Sequence, residues 1–307
     1  MDYHIINRVR YTEVIVMYVI FTDSDTDTTP ELAKKYGYHL ISMPYFIDEK
    51  EYYPYVDFDE FDPQKFYGDL RKGVMPKTGG LSPEQYINYF EPFFKEGKDI
   101  LYVHFSKAMS STFQAMQIAL DELKEKYPTR KVYTIDTKAI TTLCLPIVEL
   151  VGKMYQEGKG IAEILAKAKE AVDAWTIYFF VDDLSFFRRS GRVSAPAAIM
   201  GNLIGICPII YMNDQGIMTS VDKARGRRNV INKVLDYVDK LQEDIKDYPV
   251  YIGHSDAKET AEYVAKLLKE KYGDDLQIIF SDVNPTAGAH CGPGGVGVCF
   301  HARQRGL

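Results

Sequence analysis

The alternation of apolar runs and polar turns predicts the elements of this chain in order. Ile100 to Phe105 is an apolar run that reads as a buried parallel strand, and a hydroxyl-rich turn, Ser106 to Thr112, follows it. Phe113, Met116, Leu120 and Leu123 then recur at helical spacing, so the turn feeds an amphipathic helix. Ser111 and Gln114 have the spacing of a capping box, which sets the helix start at the hydroxyls and leaves the Ser110 hydroxyl free. Orphan N–H groups and the helix dipole favour an anion there, and the reading is a held carboxylate.

The same strand, polar turn and helix recur along the first half. Tyr18 to Phe21 is a buried strand, Thr22 to Asp27 is its turn, and Thr28 with Glu31 has capping-box spacing around Pro30. His39 to Phe46 is the second strand, and residues 48–64 form an acidic, aromatic surface excursion. After the turn at Thr78-Gly79-Gly80-Leu81, Ser82, Pro83 and Gln85 start a helix. Lys131 to Thr137 is the fourth strand, with helices over 141–157 and 160–174. Four such units predict an open parallel α/β sheet with its loops gathered at one edge, where such folds bind ligands.

After Trp175 the texture changes. Thr176 to Val181 is a strand, Phe186 to Val193 a basic turn, and Ala195 to Met212 a buried helix followed by a buried strand. Asn213-Asp214-Gln215-Gly216 makes a hairpin turn into a strand over 217–221. Helices over 226–243 and 257–272, strands over 249–253 and 276–280, and a Gly-rich loop from His290 to Gly297 with a short strand complete the chain. The expectation is an α/β protein: an N-terminal parallel α/β domain over 17–175 and a smaller α+β domain over 176–307. Residues 1–16 read as an extension outside the fold.

Composition narrows the class. The 307 residues suffice for two domains, and 46% apolar with 26% charged residues is the make-up of a soluble globular chain. With 37 basic and 43 acidic residues the net charge is −6, which argues against general nucleic-acid binding. Cys144, Cys207, Cys291 and Cys299 are too sparse for a disulfide scaffold and read as reduced thiols of a cytoplasmic protein. The apolar run Val14 to Phe21 lacks the length and cleavage site of a secretory signal.

Several motifs compete for function. Gly292, Gly294 and Gly297 match a dinucleotide fingerprint, yet too little chain follows for its βαβ unit. His290, Cys291, Cys299 and His301 match no common zinc spacing, so no metal is expected. Gly253-His254-Ser255-Asp256-Ala257 has the form of a nucleophile elbow, with Asp282 and His290 downstream in hydrolase order, although Ser255 also suits a helix N-cap. Lys223 to Arg228 is a basic patch, and Arg192 follows the basic pair Arg188-Arg189. The hydroxyl turns at Ser24, Thr78 and Ser110 share one sheet edge.

The ordered set of motifs resembles the DegV family of fatty-acid-binding proteins, which includes the binding subunit of bacterial fatty-acid kinase systems. It runs from Thr22-Asp23-Ser24 through Thr78 to Pro83, Ser106 to Thr112, Ile135-Asp136-Thr137 and Gly191-Arg192-Val193 to the late Pro-Ile-Ile strand and His290-x-Gly-Pro-Gly. The resemblance implies a fatty acid clasped between two domains, its acyl chain in an apolar tunnel. It implies that Thr78 and Ser110 hold the carboxylate, with His290 and Arg192 near the same end. Arg225, Arg227 and Arg228 would then face the kinase partner. Gly79, Ser111, Ser190 and Cys207 depart from the usual pattern. The expectation is a binding protein without catalysis or cofactor, whose ligand is a long-chain fatty acid. A serine hydrolase using Ser255 is the alternative.

Overall fold

In the computed structural model, which describes residues 18–182, 184–194 and 205–306, apolar runs become strands where both faces are covered. The first strand, β1 (Tyr18–Asp23), is buried at every position, as a central parallel strand must be. A tight turn over Ser24–Thr26 leads to α1 (Pro30–Tyr36), which is capped by Thr29 rather than Thr28. Thr29 Oγ1 accepts the Leu32 N–H at 3.3 Å, whereas Thr28 is buried with its hydroxyl 2.7 Å from that of Thr26.

The predicted second strand is two strands. β2 (Tyr38–Ile41) stays in the first sheet, and the chain leaves it at Ser42-Met43-Pro44, where proline lacks the N–H a ladder needs. β3 (Tyr45–Ile47) and β4 (Lys50–Tyr52) then form a hairpin, so the excursion over 48–64 begins inside a sheet. After α2 (Pro63–Arg71), β5 (Lys77–Thr78) pairs with β3 and sets Thr78 opposite Tyr45. The expected capping box of Ser82 and Gln85 opens α3 (Pro83–Lys95). There follow β6 (Asp99–His104), α4 (Thr112–Lys126), β7 (Val132–Asp136), α5 (Leu145–Gln156) and α6 (Ile161–Ala174). The first sheet is parallel throughout, in the order β2-β1-β6-β7. Its order reverses between β1 and β6, so the crevice beyond their C-terminal ends is the topological switch point.

The second part is a mixed sheet. It comprises β8 (Trp175–Phe180), β9 (Val193–Ser194), β10 (Ile206–Met212), β11 (Met218–Arg225), β12 (Val250–His254), β13 (Ile278–Asp282) and β14 (Val296–His301). Among the described residues its order is β13-β12-β14-β8-β10-β11-β9. The expected basic turn after β8 is instead a short helix, α7 (Ser185–Ser190), ended by Gly191 with φ 66°. α8 (Arg227–Leu241) and α9 (Lys258–Tyr272) cover one face of the sheet. Half of the expected Gly-rich loop is regular structure: His290 and Cys291 close α10 (Pro285–Cys291), Val296 and Gly297 already lie in β14, and Gly292 to Gly295 form the turn between them. The expected helix ahead of β10, up to residue 204, and the extension over 1–16 lie outside the described residues.

Alternation along β8 links the two parts. Tyr178 and Phe180 pack under α8 and α9, while Ile177 joins the core that runs from Tyr18 to Cys299 through the parallel sheet. Cross-links reinforce this: Ser106 Oγ donates to the Gly216 carbonyl at 2.8 Å, and Arg305 Nη1 donates to the Thr137 carbonyl at 3.0 Å. Arg71 pairs with Asp256. Among the described residues no helix is long and apolar enough to cross a membrane.

Candidate functional site

A cleft of about 970 Å³, partly open to solvent, lies at the switch point between the parallel sheet and the inner face of the mixed sheet. Its floor includes a glycine patch of the sheet, closely covered by Thr142, Ile177 and Phe179. Gly253 of β12 pairs with Gly297 of β14, which pairs with Phe179 of β8, so two neighbouring positions lack side chains. A Cβ on Gly253 would stand 1.9 Å from Thr142 Oγ1, and one on Gly297 would stand 3.0 Å from both Ile177 and Phe179. Apolar side chains, including Phe105, Met109, Ile177, Phe179, Met212 and Met218, line most of the rest.

Polar lining residues stand at or after the ends of β1, β5, β6, β7 and β12, at Arg192, and on α10. Thr78 Oγ1 and His290 Nε2 lie 2.8 Å apart. Ser110 Oγ accepts the Thr112 N–H at 3.2 Å and keeps its own hydrogen to donate. Ser111, the expected cap, makes no side-chain capping bond; Gln114 N–H goes to its backbone carbonyl instead. Ser24 is also turned away, its Oγ accepting the Met43 N–H at 2.9 Å. Of the three hydroxyl turns, the cleft therefore receives Thr78 and Ser110.

Electrostatics at this end favour neutral donors. Burial, with Arg192 and Arg189 nearby, holds the His290 imidazole down to about 4, so it is uncharged at neutral pH. Its Nδ1 is buried without a hydrogen-bond partner. Arg192 lines the cleft and is exposed, which makes it a cation at the mouth rather than inside. Arg189 braces the wall: its Nη2 donates to the carbonyls of Pro76 at 3.5 Å and Ala289 at 3.4 Å.

Four polar cleft residues escaped the sequence reading: Asp25, Thr141, Thr142 and Thr286. Three aspartates in the first turn, Asp23, Asp25 and Asp27, are all buried. Asp23 accepts from Tyr102 Oη at 2.9 Å and Phe105 N–H at 3.2 Å, and Asp27 accepts from Asn284 N–H at 3.0 Å and Asn284 Nδ2 at 2.9 Å. Burial still pushes both carboxyls up to about 7. Asp25 lines the cleft. The signal in the sequence was the acidic alternation Asp23-Ser24-Asp25-Thr26-Asp27, which reads equally as a solvated turn.

Ser255 also lines the cleft, but without the geometry of a nucleophile. Ser255 Oγ accepts the Gly295 N–H at 2.8 Å, and His290, the base a hydrolase would need, is engaged with Thr78. The left-handed backbone falls at Asp256, not at Ser255, and Ala257 is the N-cap of α9. The elbow and cap readings of Ser255 are both corrected by this geometry. Arg225 stands at the far end of β11 from the cleft residue Met218, roughly 23 Å away at strand rise. Arg227 pairs with Asp182 and donates to Thr260 Oγ1 at 2.8 Å, so it is partly committed; Arg228 is exposed beside it. His301 stacks on Tyr248 with ring centroids 3.9 Å apart at the other end of β14 from the cleft.

Comparison with known proteins agrees with the fold. The family described as "Uncharacterised protein, DegV family" matches residues 17–303. The DegV domain-containing protein CPE0026 of Clostridium perfringens is 34% identical over 92% of this chain and 97% of its own length. A fatty acid (stearic acid)-binding protein from Eubacterium ventriosum has a similar structure, with a TM-score of 0.80 at 22% identity, covering 94% of this chain and 99% of its own. A structure titled as fatty acid binding of a DegV family protein from Thermus thermophilus has a TM-score of 0.79 at 21% identity, covering 93% and 99%. By the extent of the family match and its nearly full-length relative, this chain belongs to the DegV family.

Proposed function

We propose that this protein binds a long-chain fatty acid in the cleft, with the carboxylate at Thr78 and Ser110 and the acyl chain along the apolar lining. The observation that carries the reading is the division of one cleft into an apolar stretch and a polar end of neutral donors. A hydroxyl pair beside an uncharged imidazole holds a carboxylate without the desolvation cost of a buried ion pair. Burying the methylenes of palmitate contributes on the order of 10 kcal/mol, enough to offset the freedom lost on binding. Family relatives crystallised with stearic acid and described as fatty-acid-binding support it.

In this reading the units over 17–175 and 176–307 clasp the ligand between them, and the chain itself catalyses nothing. His290 Nε2–H donates to Thr78, whose hydroxyl is thereby aimed at the carboxylate, and Arg192 meets the charge at the mouth. The resemblance to fatty-acid kinase systems extends this to presentation of the carboxylate to a cytoplasmic kinase partner, with Arg225, Arg227 and Arg228 as docking cations. The double variant Thr78→Val, Ser110→Ala tests the site. It should fold as the wild type does, with the same unfolding midpoint within a few degrees, yet release added oleate at least tenfold faster. Unchanged oleate retention in that variant would remove these two residues from the site.

A further inference from the structure

The first turn treats its three aspartates unequally. Asp23 and Asp27 have both carboxyl oxygens satisfied: Asp23 by the Asp25 N–H, Tyr102 and Phe105, and Asp27 by Asn284 and Thr142. Asp25 is 5% exposed, and its Oδ1 is buried with no partner at all. A carboxyl oxygen left bare inside a protein costs free energy unless something else completes it. Asp25 lines the cleft, so the cleft is where its partner enters.

The surroundings say what kind of partner fits. Thr286 lies beside Asp25 and belongs to the same helix as His290, one turn earlier, with its Oγ1 donating to the Met43 carbonyl at 2.9 Å. Residues four apart on a helix sit on one face, so Asp25 and the Thr78–His290 pair occupy neighbouring places along the same wall. No cation among the described groups that face Asp25 is available to pair with it; the charged neighbours are Asp23 and Asp27, which are like-charged when ionised. Burial and these two like-charged neighbours disfavour an ionised Asp25. A buried neutral carboxyl is a hydrogen-bond donor.

We propose that Asp25 is a further ligand-binding residue, which hydrogen-bonds the carboxyl group of the bound fatty acid through one shared proton. This rests on the fatty-acid reading of the cleft. The pair of carboxyls carries one proton and one negative charge: Asp25 keeps the proton it holds when the cleft is free, and the entering carboxylate accepts a hydrogen bond from it. Asp25 is a weaker acid than usual, which explains why the proton stays: burial first, then the two flanking aspartates, disfavour a charge there. Thr78 and Ser110 complete the set of neutral donors around the ligand.

The test uses delipidated full-length protein and palmitate labelled with carbon-13 at its carboxyl, at pH 7. In the wild type, the bound carboxyl resonance should sit between the positions of free carboxylate and carboxylic acid. Asp25→Asn, which keeps a donor, should bind within about threefold of wild type, whereas Asp25→Ala should bind at least tenfold more weakly. The resonance in both variants should move to the carboxylate position. A wild-type resonance already at the carboxylate position, or Asp25→Ala binding as tightly as wild type, would overturn the role of Asp25 while leaving the fatty-acid reading standing. Wild-type protein that takes up no palmitate would overturn that reading and the proposal with it.

Discussion

Thr78 Oγ1 and His290 Nε2 lie 2.8 Å apart although 212 residues separate them in the chain. The contact ties β5, in the small sheet carried by the first part, to α10, which follows the mixed sheet. It closes the polar end of the cleft; with the proton on Nε2, as proposed, the Thr78 hydrogen is left for a ligand. Burial keeps His290 neutral, and this has a consequence for stability.

The His290 imidazole is depressed from the ordinary 6.5 to about 4, first by burial and then by Arg192 and Arg189. Below about pH 6.5 the unfolded chain therefore takes up a proton that the folded chain refuses, and stability falls with pH down to about 4. Between pH 7 and pH 5 the loss is about 2 kcal/mol. Asp23 and Asp27 act in the opposite sense, since carboxyls raised to about 7 stay protonated in the fold and favour it as pH falls from 7 to 4. The comparison must thus be with His290→Gln by urea unfolding at both pH values. The stability of the variant relative to wild type should rise on going to pH 5; a constant difference would contradict a neutral, buried His290.

Gly253 faces Thr142 so closely that any side chain displaces it. Gly253→Ala should lower stability by about 1–3 kcal/mol, the usual cost of overpacking, and reduce oleate uptake by intruding on the cleft floor. Urea midpoints and oleate titration read the two effects. A variant as stable and as receptive as wild type would contradict the close packing of β12 on the cleft.

Filling the apolar stretch should discriminate by chain length. Met218 lines the cleft and is buried. Met218→Trp should weaken binding of stearate more than binding of decanoate, by at least tenfold in the ratio of dissociation constants. Equal losses for both acids would mean that the acyl chain does not pass Met218.

The basic patch is distant from the cleft, so charge reversal there should spare the ligand. Arg225→Glu with Arg228→Glu should bind oleate with an affinity within twofold of wild type, as measured by calorimetry. A large loss would place the patch in the ligand site, against the separation along β11.

Much of this fold was legible because periodicity reports burial directly. The central strands β1 and β6 are apolar on both faces, and the capping box at Ser82 and Gln85 forms as its spacing predicts. What was not legible depends on contacts distant in sequence. Pro44 splits one apolar run into β2 and β3, and the split is what gives Thr78 a sheet to sit in. Ser111 lost its capping role because its own backbone is helical and its carbonyl takes the Gln114 N–H. Of α10 only its end, His290 and Cys291, falls in the expected Gly-rich loop; Pro285 to Ala289 are too short a run for periodicity to reveal, apart from the Asn284 cap. At the cleft, Thr78, Ser110 and His290 followed from hydroxyl turns and resemblance. Asp25 did not, because no local pattern distinguishes a buried aspartate from a solvated one.

The central claim is that the cleft holds a fatty acid. Native mass spectrometry of freshly purified protein, followed by organic extraction and lipid analysis, tests it most directly. A stoichiometric mass increment that extracts as a single class of long-chain fatty acid is expected, and it should be lost from the Thr78→Val, Ser110→Ala variant. Protein that is empty as purified and takes up neither added palmitate nor added oleate would contradict it.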